Sequence, residues 1–196
     1  EYFRDAFDAV QTLVNKGLVL AGHDISAGGL ITTLLEMCFA NMEGGLEISL
    51  DKFRRHDIVK ILLAENPGVV VQIADKHKAE FKKIMDDAGV GYLKLGHPTD
   101  ERLIQVTKDG AEYQFGIDYL RDVWYSTSYL LDRKQSMNGR AKARFENYKM
   151  QPLEMVFNKD FTGKLSQYGL NPDRRTPLGI KAAIIREKGT NGEREM

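Results

Sequence analysis

The most informative segment of the sequence is His23-Asp24-Ile25-Ser26-Ala27-Gly28-Gly29-Leu30. A short apolar run, Leu18 to Ala21, leads into it, and the almost wholly apolar run from Leu30 to Ala40 follows it. The first run predicts a strand, and the second predicts a helix that is buried on most of its surface. The paired glycines allow a sharp turn between the two. The segment therefore predicts a strand, a tight loop and a buried helix in immediate succession.

Further helices and strands are predicted on both sides of this unit. Helical spacing covers Phe3 to Val14, which ends at Gly17, then His77 to Ala88, which ends at Gly89, and Leu120 to Leu131; strand patterns cover Leu46 to Leu50, Val69 to Ile73 and Tyr92 to Leu95; and a hairpin joins Leu103–Thr107 to Glu112–Phe115 through Asp109-Gly110. The β-branched run from Val69 is predicted to be an interior strand. Asp57 to Glu65 fits a helix or an extended segment. Trp124 and Tyr125 are predicted to be core and rim of the last helix.

This order of elements predicts an α+β domain in which helices cover a mixed sheet. The domain is expected to run from Glu1 to about Arg133. From Lys134 to Leu178 the sequence has three prolines, poor apolar spacing and a basic cluster at Arg140, Lys142 and Arg144. This stretch is therefore predicted to be a linker with a solvated basic face and one helix near Ala143 to Lys149.

The tail carries a separate pattern. Apolar residues from Ala182 to Ile185 precede a turn at Gly189-Thr190-Asn191-Gly192, and the charged run Glu193-Arg194-Glu195 follows. This pattern predicts a buried strand, a turn and the first turn of a helix. A buried strand of this kind needs neighbours on both sides. The chain is therefore expected to be a piece of a larger protein, with residues 179–196 as the start of a further α/β domain.

Composition excludes several classes of function. Lys and Arg number 28, as do Asp and Glu, so the net charge is zero, which argues against nucleic acid as a main partner. No apolar stretch approaches the ~20 residues that cross a bilayer, and no signal-peptide pattern is visible. The single cysteine, Cys38, cannot form an internal disulfide and fits a reducing cytoplasm. Because Cys38 lies in an apolar helix, it is predicted to be a buried core residue rather than a nucleophile.

The loop at His23 to Gly29 carries the candidate chemistry. A helix N-terminus offers free N–H groups to an anion such as phosphate. Asp24 is a candidate ligand for a divalent metal, and Ser26 and His23 are candidate donors to a phosphate or contacts to a substrate. The competing interpretation is that Asp24 or Ser26 merely caps the helix while the glycines form the turn.

The loop and the run Leu34-Leu35-Glu36-Met37-Cys38-Phe39-Ala40 behind it resemble the long, single-chain form of phosphoribosylformylglycinamidine synthase. The resemblance is to the carboxy-terminal lobe of its second PurM-like unit, the unit related to aminoimidazole ribonucleotide synthetase. It continues through Glu65 to Gln72 and through Val123-Trp124 into the tail, where Ile184 to Met196 is similar to the opening of the family's glutamine amidotransferase domain.

The resemblance implies a ligase of de novo purine synthesis, which makes formylglycinamidine ribonucleotide from formylglycinamide ribonucleotide, glutamine and ATP. It implies Mg²⁺ on Asp24, and ATP or ADP phosphate near Ser26, with His23, Gly28 and Gly29 completing the nucleotide loop. The resemblance also implies that this lobe carries an auxiliary nucleotide site. The other ligands of that site lie on a preceding lobe. Many members have an aspartate where this chain has Ala27, so a negative charge that those members have beside the metal ligand is missing here.

The remaining expectations concern the chain's own activity and partners. The family's glutaminase residues would lie beyond Met196, so the chain alone is expected to be inactive and to bind nucleotide weakly at most. Arg186, Asn191 and Gly192 are candidate amidotransferase-loop residues, with a purely structural turn as the alternative. Expected partners are other domains of the same polypeptide, with homodimerisation left open and no membrane. A non-enzymatic interaction or scaffold domain is the competing function, and a free-standing PurM-like kinase is a weaker one.

Overall fold

The computed structural model describes residues 1–54, 57–150 and 156–171. The chain divides into two compact units, Glu1–Gln151 and Pro152–Met196, and each is described by itself. In the first unit the elements are α1 (Tyr2–Asn15), β1 (Val19–Ile25), α2 (Gly29–Phe39), β2 (Gly45–Ser49), α3 (Ile58–Leu63), β3 (Gly68–Ile73), α4 (Lys78–Asp87), β4 (Gly96–Thr99), β5 (Leu103–Lys108), β6 (Ala111–Gly116), α5 (Ile117–Gln135) and α6 (Arg140–Glu146). The predicted α+β class is confirmed.

The strands form two sheets. The larger is a mixed four-stranded sheet in the order β4-β2-β5-β6, in which β2 and β5 run parallel and the other pairs run antiparallel. The smaller is an antiparallel pair of β1 and β3, in which His23 lies opposite Val70 and Asp24 opposite Val69. The hairpin prediction is confirmed: the β5–β6 turn has positive φ at Asp109 (50°) and Gly110 (82°).

The main core lies between the four-stranded sheet and helices α2, α3 and α5. Its most deeply buried apolar residues are Leu34, Ile48, Leu50, Ile104, Val106 and Ile117. Helix α2 is the central element, because seven of its eleven residues are buried, as the apolar run predicted. Burying one such aliphatic side chain contributes about 1.5–3 kcal/mol. The loop at residues 26–28 is therefore attached to a helix that is buried along most of its length.

A second core joins α1 to α4. Ala9, Leu13 and Leu18 pack against Met85 and Val90, and Leu13 is only 1% exposed. The two helices predicted for these segments are both confirmed. The ambiguous segment after Asp57 is helix α3, because the Asp57 side chain accepts a hydrogen bond from the Lys60 N–H at 3.0 Å and so caps it.

Two strand predictions are wrong. The run Tyr92 to Leu95 is not a strand, since β4 begins only at Gly96; the Tyr92 ring packs edge-on against Phe81 at 5.0 Å instead. Nor is β3 an interior strand: among the residues that the structure describes it pairs with β1 alone, and Val69 is 51% exposed. The residue types in these two segments could not predict either outcome, because β-branched and aromatic residues favour any half-buried surface and do not specify a place in a particular sheet.

Helix α5 differs from expectation in what its apolar stripe does. Trp124 was predicted to belong to the core, yet it is 51% exposed and its indole is hydrogen-bonded to Glu36. Val123 and Leu131 of the same stripe are also more than half exposed. The stripe therefore remains largely uncovered within the first unit.

Helix α6 lies against α5 and belongs to the first compact unit. Arg144 binds both carboxylate oxygens of Asp132 on α5, at distances of 2.6 to 2.9 Å. The Arg121 guanidinium stacks 3.6 Å from the centroid of the Tyr148 ring and donates to the Phe145 carbonyl oxygen at 2.8 Å. The interpretation of this stretch as a solvated basic face is thus wrong for Arg144, which anchors α6. The proposed domain limits at residues 133 and 178 stay predictions.

The described part of the second unit, residues 156–171, contains one turn of 3₁₀ helix at Leu165–Tyr168. The rings of Phe157 and Phe161 stack with their centroids 4.6 Å apart. The Gln167 side chain closes the segment by accepting from the Thr162 N–H and donating to the Asp160 carbonyl oxygen.

Candidate functional site

The predicted strand–loop–helix unit is present, with three residues between β1 and α2. Gly28 (φ 84°) and Gly29 (φ 70°) both adopt the left-handed conformation. A Cβ on Gly28 would lie 2.2 Å from the Thr32 hydroxyl oxygen, and one on Gly29 would lie 2.7 Å from the Leu62 carbonyl oxygen. Both positions therefore require glycine, for conformation and for space.

The N-cap residue of α2 is Gly28, so the helix has no cap from the side chain of its own N-cap residue. The turn is closed by the backbone, since the Gly29 N–H donates to the Ser26 carbonyl oxygen at 3.0 Å. The interpretation of Asp24 or Ser26 as a side-chain cap is therefore wrong, although the glycines do form the turn. Ser26 and Ala27 are both exposed at the mouth of the loop.

Glu65 is a loop contact that sequence reasoning missed. Its Oε1 accepts a hydrogen bond from the Gly28 N–H at 2.8 Å, across 37 residues of sequence. A carboxylate at this position is favoured by the positive end of the α2 dipole. No local pattern could have assigned this role to Glu65, because the contact exists only once α3 has folded back onto α2. An incoming anion at the Gly28 N–H would have to displace this carboxylate.

The structure places the Asp24 side chain at the surface, 71% exposed, while its backbone is fixed. The Asp24 carbonyl oxygen accepts a hydrogen bond from the Thr33 hydroxyl at 3.0 Å, and Nδ1 of His23 lies 2.8 Å from it. An exposed carboxylate on a rigid backbone fits a hard cation such as Mg²⁺ as one oxygen ligand. Among the described residues there is no group of three or more His, Cys, Asp or Glu that would complete a metal site.

The structure brings His23 together with Glu36, whose Oε2 lies 3.3 Å from the His23 Nε2. Oε1 of Glu36 accepts a hydrogen bond from the indole N–H of Trp124 at 2.8 Å. Of the predicted site residues, His23 and Asp24 lie at the end of β1, and Ser26 and Gly28 lie in the loop that follows. Two carboxylates that were not predicted, those of Glu36 and Glu65, contact this segment. Arg186, Asn191 and Gly192 lie outside the described residues.

Cys38 is buried, as predicted, and is 6% exposed. Burial raises the pKa of its thiol, and the nearby Arg102 guanidinium opposes this only in part. A buried thiol with a raised pKa holds little thiolate at neutral pH. This environment agrees with a core residue rather than a nucleophile.

The family model described as AIR synthase related protein, C-terminal domain, matches residues 2–109, which is more than half of the chain. The chain belongs to this family. The match covers the loop, α2 and both sheets as far as the β5–β6 turn. It bears out the PurM-like carboxy-terminal lobe that the sequence predicted.

Three curated relatives of this chain share the name phosphoribosylformylglycinamidine synthase. The chain is 34% identical to phosphoribosylformylglycinamidine synthase of Homo sapiens, over 97% of the chain and 14% of that protein. It is 33% identical to the probable chloroplastic/mitochondrial phosphoribosylformylglycinamidine synthase of Arabidopsis thaliana, over 100% of the chain and 14% of that protein. The Saccharomyces cerevisiae phosphoribosylformylglycinamidine synthase is 33% identical over 92% of the chain. The chain therefore spans about one-seventh of the length of these relatives.

Solved structures support the fold. A structure of T. maritima PurL complexed with ATP matches 59% of this AIR synthase-related chain and 21% of that protein, with a TM-score of 0.53 and 18% identity. At this identity the likeness shows the fold alone. No helix in the described ranges is long and apolar enough to cross a membrane.

Proposed function

We propose that this AIR synthase-related chain is the nucleotide-binding carboxy-terminal lobe of a phosphoribosylformylglycinamidine synthase. The whole enzyme would join glutamine-derived ammonia to formylglycinamide ribonucleotide at the expense of ATP, in de novo purine synthesis. The support is the identity of about one-third to enzymes of that name along almost the entire chain. The chain itself would not carry out this reaction, because it supplies one lobe of the synthetase.

The observation that carries the proposal is the geometry of the loop between β1 and α2. Two glycines with positive φ begin a buried eleven-residue helix, and the Gly28 N–H at its N-terminus is bonded to the Glu65 carboxylate, which a phosphate would replace. The N–H groups and positive dipole at such a terminus suit a phosphate. Asp24 and Ser26 stand exposed at its mouth. A loop that served only as a helix cap would not need an exposed carboxylate held on a rigid backbone.

The residues would divide the work as follows. Asp24 would supply one carboxylate oxygen to Mg²⁺, which neutralises phosphate charge when bound. Ser26 would donate its hydroxyl proton to a phosphate oxygen of ATP or ADP, and the backbone at Gly28 and Gly29 would allow close approach. His23 would border the same nucleotide. The remaining ligands would come from a preceding lobe of the polypeptide, in agreement with the incomplete donor set around Asp24.

Three further parts of the proposal concern the amidotransferase loop, the location and the oligomeric state. Arg186, Asn191 and Gly192 would belong to the amidotransferase loop of the whole enzyme. A cytoplasmic location is proposed from the single, buried cysteine. Homodimerisation of the chain is a further proposal, which the exposed apolar side chains of α1 and α5 would support.

A segment exchange in the Saccharomyces cerevisiae relative tests the proposal. The corresponding segment, 14% of the yeast enzyme, is replaced by this chain, and growth without added purines is measured. Growth is expected with the native chain and is expected to be lost or strongly slowed with Asp24→Ala. Asp100→Ala, an exposed carboxylate after β4, is the matched control and is expected to grow normally.

A binding measurement separates this proposal from the scaffold alternative. Mg·ADP is titrated into the yeast exchange protein and its Asp24→Ala variant by calorimetry. Loss of one nucleotide-binding event in the variant supports the proposed site. Growth and Mg·ADP binding that are both unchanged in Asp24→Ala would reject it and favour a lobe that acts only as a scaffold.

A further inference from the structure

Glu36 connects three elements that are distant in sequence. It lies on α2 about two turns after the loop, and its side chain is only 23% exposed. One carboxylate oxygen accepts from the indole N–H of Trp124 on α5 at 2.8 Å. The other lies 3.3 Å from Nε2 of His23 on β1. Both oxygens of Glu36 thus have a partner within the protein.

The other ring nitrogen of His23 continues the connection into the loop. Nδ1 lies 2.8 Å from the carbonyl oxygen of Asp24. Because a carbonyl oxygen can only accept, Nδ1 is the donor in this contact, and the contact of Nε2 with the Glu36 carboxylate requires a proton on Nε2 as well. The same carbonyl oxygen accepts from the Thr33 hydroxyl at 3.0 Å. The imidazole therefore holds the backbone of the residue whose carboxylate is exposed at the loop.

Trp124 is itself held in place at the far end. Its ring centroid lies 5.2 Å from that of Phe39, at the end of α2, and 6.1 Å from that of Tyr125. A half-exposed indole with these contacts and a carboxylate acceptor has little freedom to rotate. The path from α5 to the loop therefore consists of short polar contacts between side chains with restricted conformations.

We propose that Glu36 is a positioning residue, which orients His23 through one oxygen and is itself held by Trp124 through the other, so that the backbone of Asp24 stays placed for Mg·nucleotide. This rests on the proposed function of the loop. Groups that orient a metal ligand from behind change metal affinity or activity by about 10–100-fold when they are removed. Glu36 acts here one residue further back, so the lower end of that range is expected.

The chain offers a direct spectroscopic reading of these contacts, because it contains a single tryptophan. In a ¹H–¹⁵N spectrum the indole N–H of Trp124 is therefore one isolated resonance. Glu36→Gln keeps the size of the side chain but removes its charge, and is expected to move this resonance upfield, since a hydrogen bond to a neutral acceptor is weaker. His23→Ala, which does not touch Trp124 in the structure's polar contacts, is expected to move it as well through Glu36.

The matched control is the exposed pair of His97 and Glu47 on the larger sheet, where Nε2 lies 3.9 Å from the carboxylate. His97→Ala and Glu47→Gln are expected to leave the indole resonance in place. An unshifted resonance in both Glu36→Gln and His23→Ala would overturn the proposal whether or not nucleotide binds. Trp124→Phe removes the indole donor and with it the resonance, so it serves only in the binding measurement, as the second variant should Glu36→Gln fold poorly.

Mg·ADP affinity, measured in the yeast exchange protein, tests the functional half. Glu36→Gln and Trp124→Phe are each expected to weaken Mg·ADP binding about tenfold, while Glu47→Gln is expected to have no effect. If the resonance shifts but affinity at the Asp24-dependent site is unchanged, Glu36 is structural only and the proposal fails. If the native protein shows no Asp24-dependent binding, the proposed function itself fails. The indole resonance distinguishes this failure from a failure of the Glu36 proposal, because it tests the contacts of Glu36 without nucleotide.

Discussion

Replacing Gly29 by alanine is expected to destabilise the first compact unit more than a Gly→Ala change at a left-handed position whose surroundings are open. Gly29 has a φ of 70°, and a Cβ there would lie 2.7 Å from the Leu62 carbonyl oxygen and from the Leu63 carbonyl carbon. Both atoms are backbone, so neither can rotate out of the way.

Two separate costs add up at this position. An L-residue in the left-handed region costs about 1–2 kcal/mol. Forcing a methyl group into a packed contact costs roughly a further 1–3 kcal/mol, because the end of α3 must move away from α2. The matched control is Gly17→Ala, where φ is 67° but no atom lies within 4 Å of the added Cβ. Only the first cost applies to Gly17.

Urea unfolding, followed by the fluorescence of Trp124, measures the difference. Trp124 is the only tryptophan and lies in the first unit, so the signal reports the unfolding of that unit. The free energy of unfolding is expected to fall by about 1–3 kcal/mol more for Gly29→Ala than for Gly17→Ala. Equal losses in the two variants would refute the close approach of α2 and α3 on which the description of the loop depends.

Three other predictions concern α5, α6 and the core. Arg121→Lys is expected to lower the free energy of unfolding by about 2 kcal/mol, because a flexible ammonium does not reproduce the stacked guanidinium over Tyr148. Arg133→Lys, at an exposed site, is the control in the same urea assay. Equal losses in the two variants would contradict a stabilising role of the stacking on Tyr148. Burial, together with the hydrogen bond to Asp118, raises the pKa of Tyr148 to about 12. Because the pKa in the folded state is the higher one, the contribution of Tyr148 to stability is complete below pH ~10 and is lost between pH ~10 and 12. An absorbance titration of tyrosinate should show one late-titrating tyrosine, which Asp118→Ala moves to lower pH. The buried thiol of Cys38 is expected to react with a thiol reagent only when the unit opens, so that its labelling rate should rise with urea, and a fast, urea-independent rate would contradict its burial.

The confirmed part of the fold is the part that local patterns govern. Helix α2 was predicted from an apolar run, and its burial follows because such a run has no polar face to leave in water. The turn at Asp109-Gly110 was predicted because a two-residue hairpin needs positive φ, which few residue types adopt readily. The burial of Cys38 follows from its place on α2. Each of these conclusions needs only the residues within a few positions of the one concerned.

The errors fall where a segment had to choose among distant partners. Tyr92 packs against Phe81 on α4, while the strand beside β2 begins at Gly96. Trp124 is a large apolar residue of a kind that is common in cores, yet it is half exposed, and its indole N–H donates to Glu36. Hydrophobicity predicts that such residues are attracted to an apolar surface, but it does not say which surface is within reach.

For the candidate site, the sequence alone determined that a tight loop within the segment His23 to Gly29 joins a strand to a buried helix, because glycine pairs, apolar periodicity and the positive end of a helix are local properties. Tertiary structure alone decided which carboxylates surround that loop. Glu65 reaches the Gly28 N–H across 37 residues, and Glu36 accepts from the Trp124 indole across 88. These contacts depend on how α3 and α5 pack against α2, and packing is set by the shape of the whole core rather than by any short stretch of the chain.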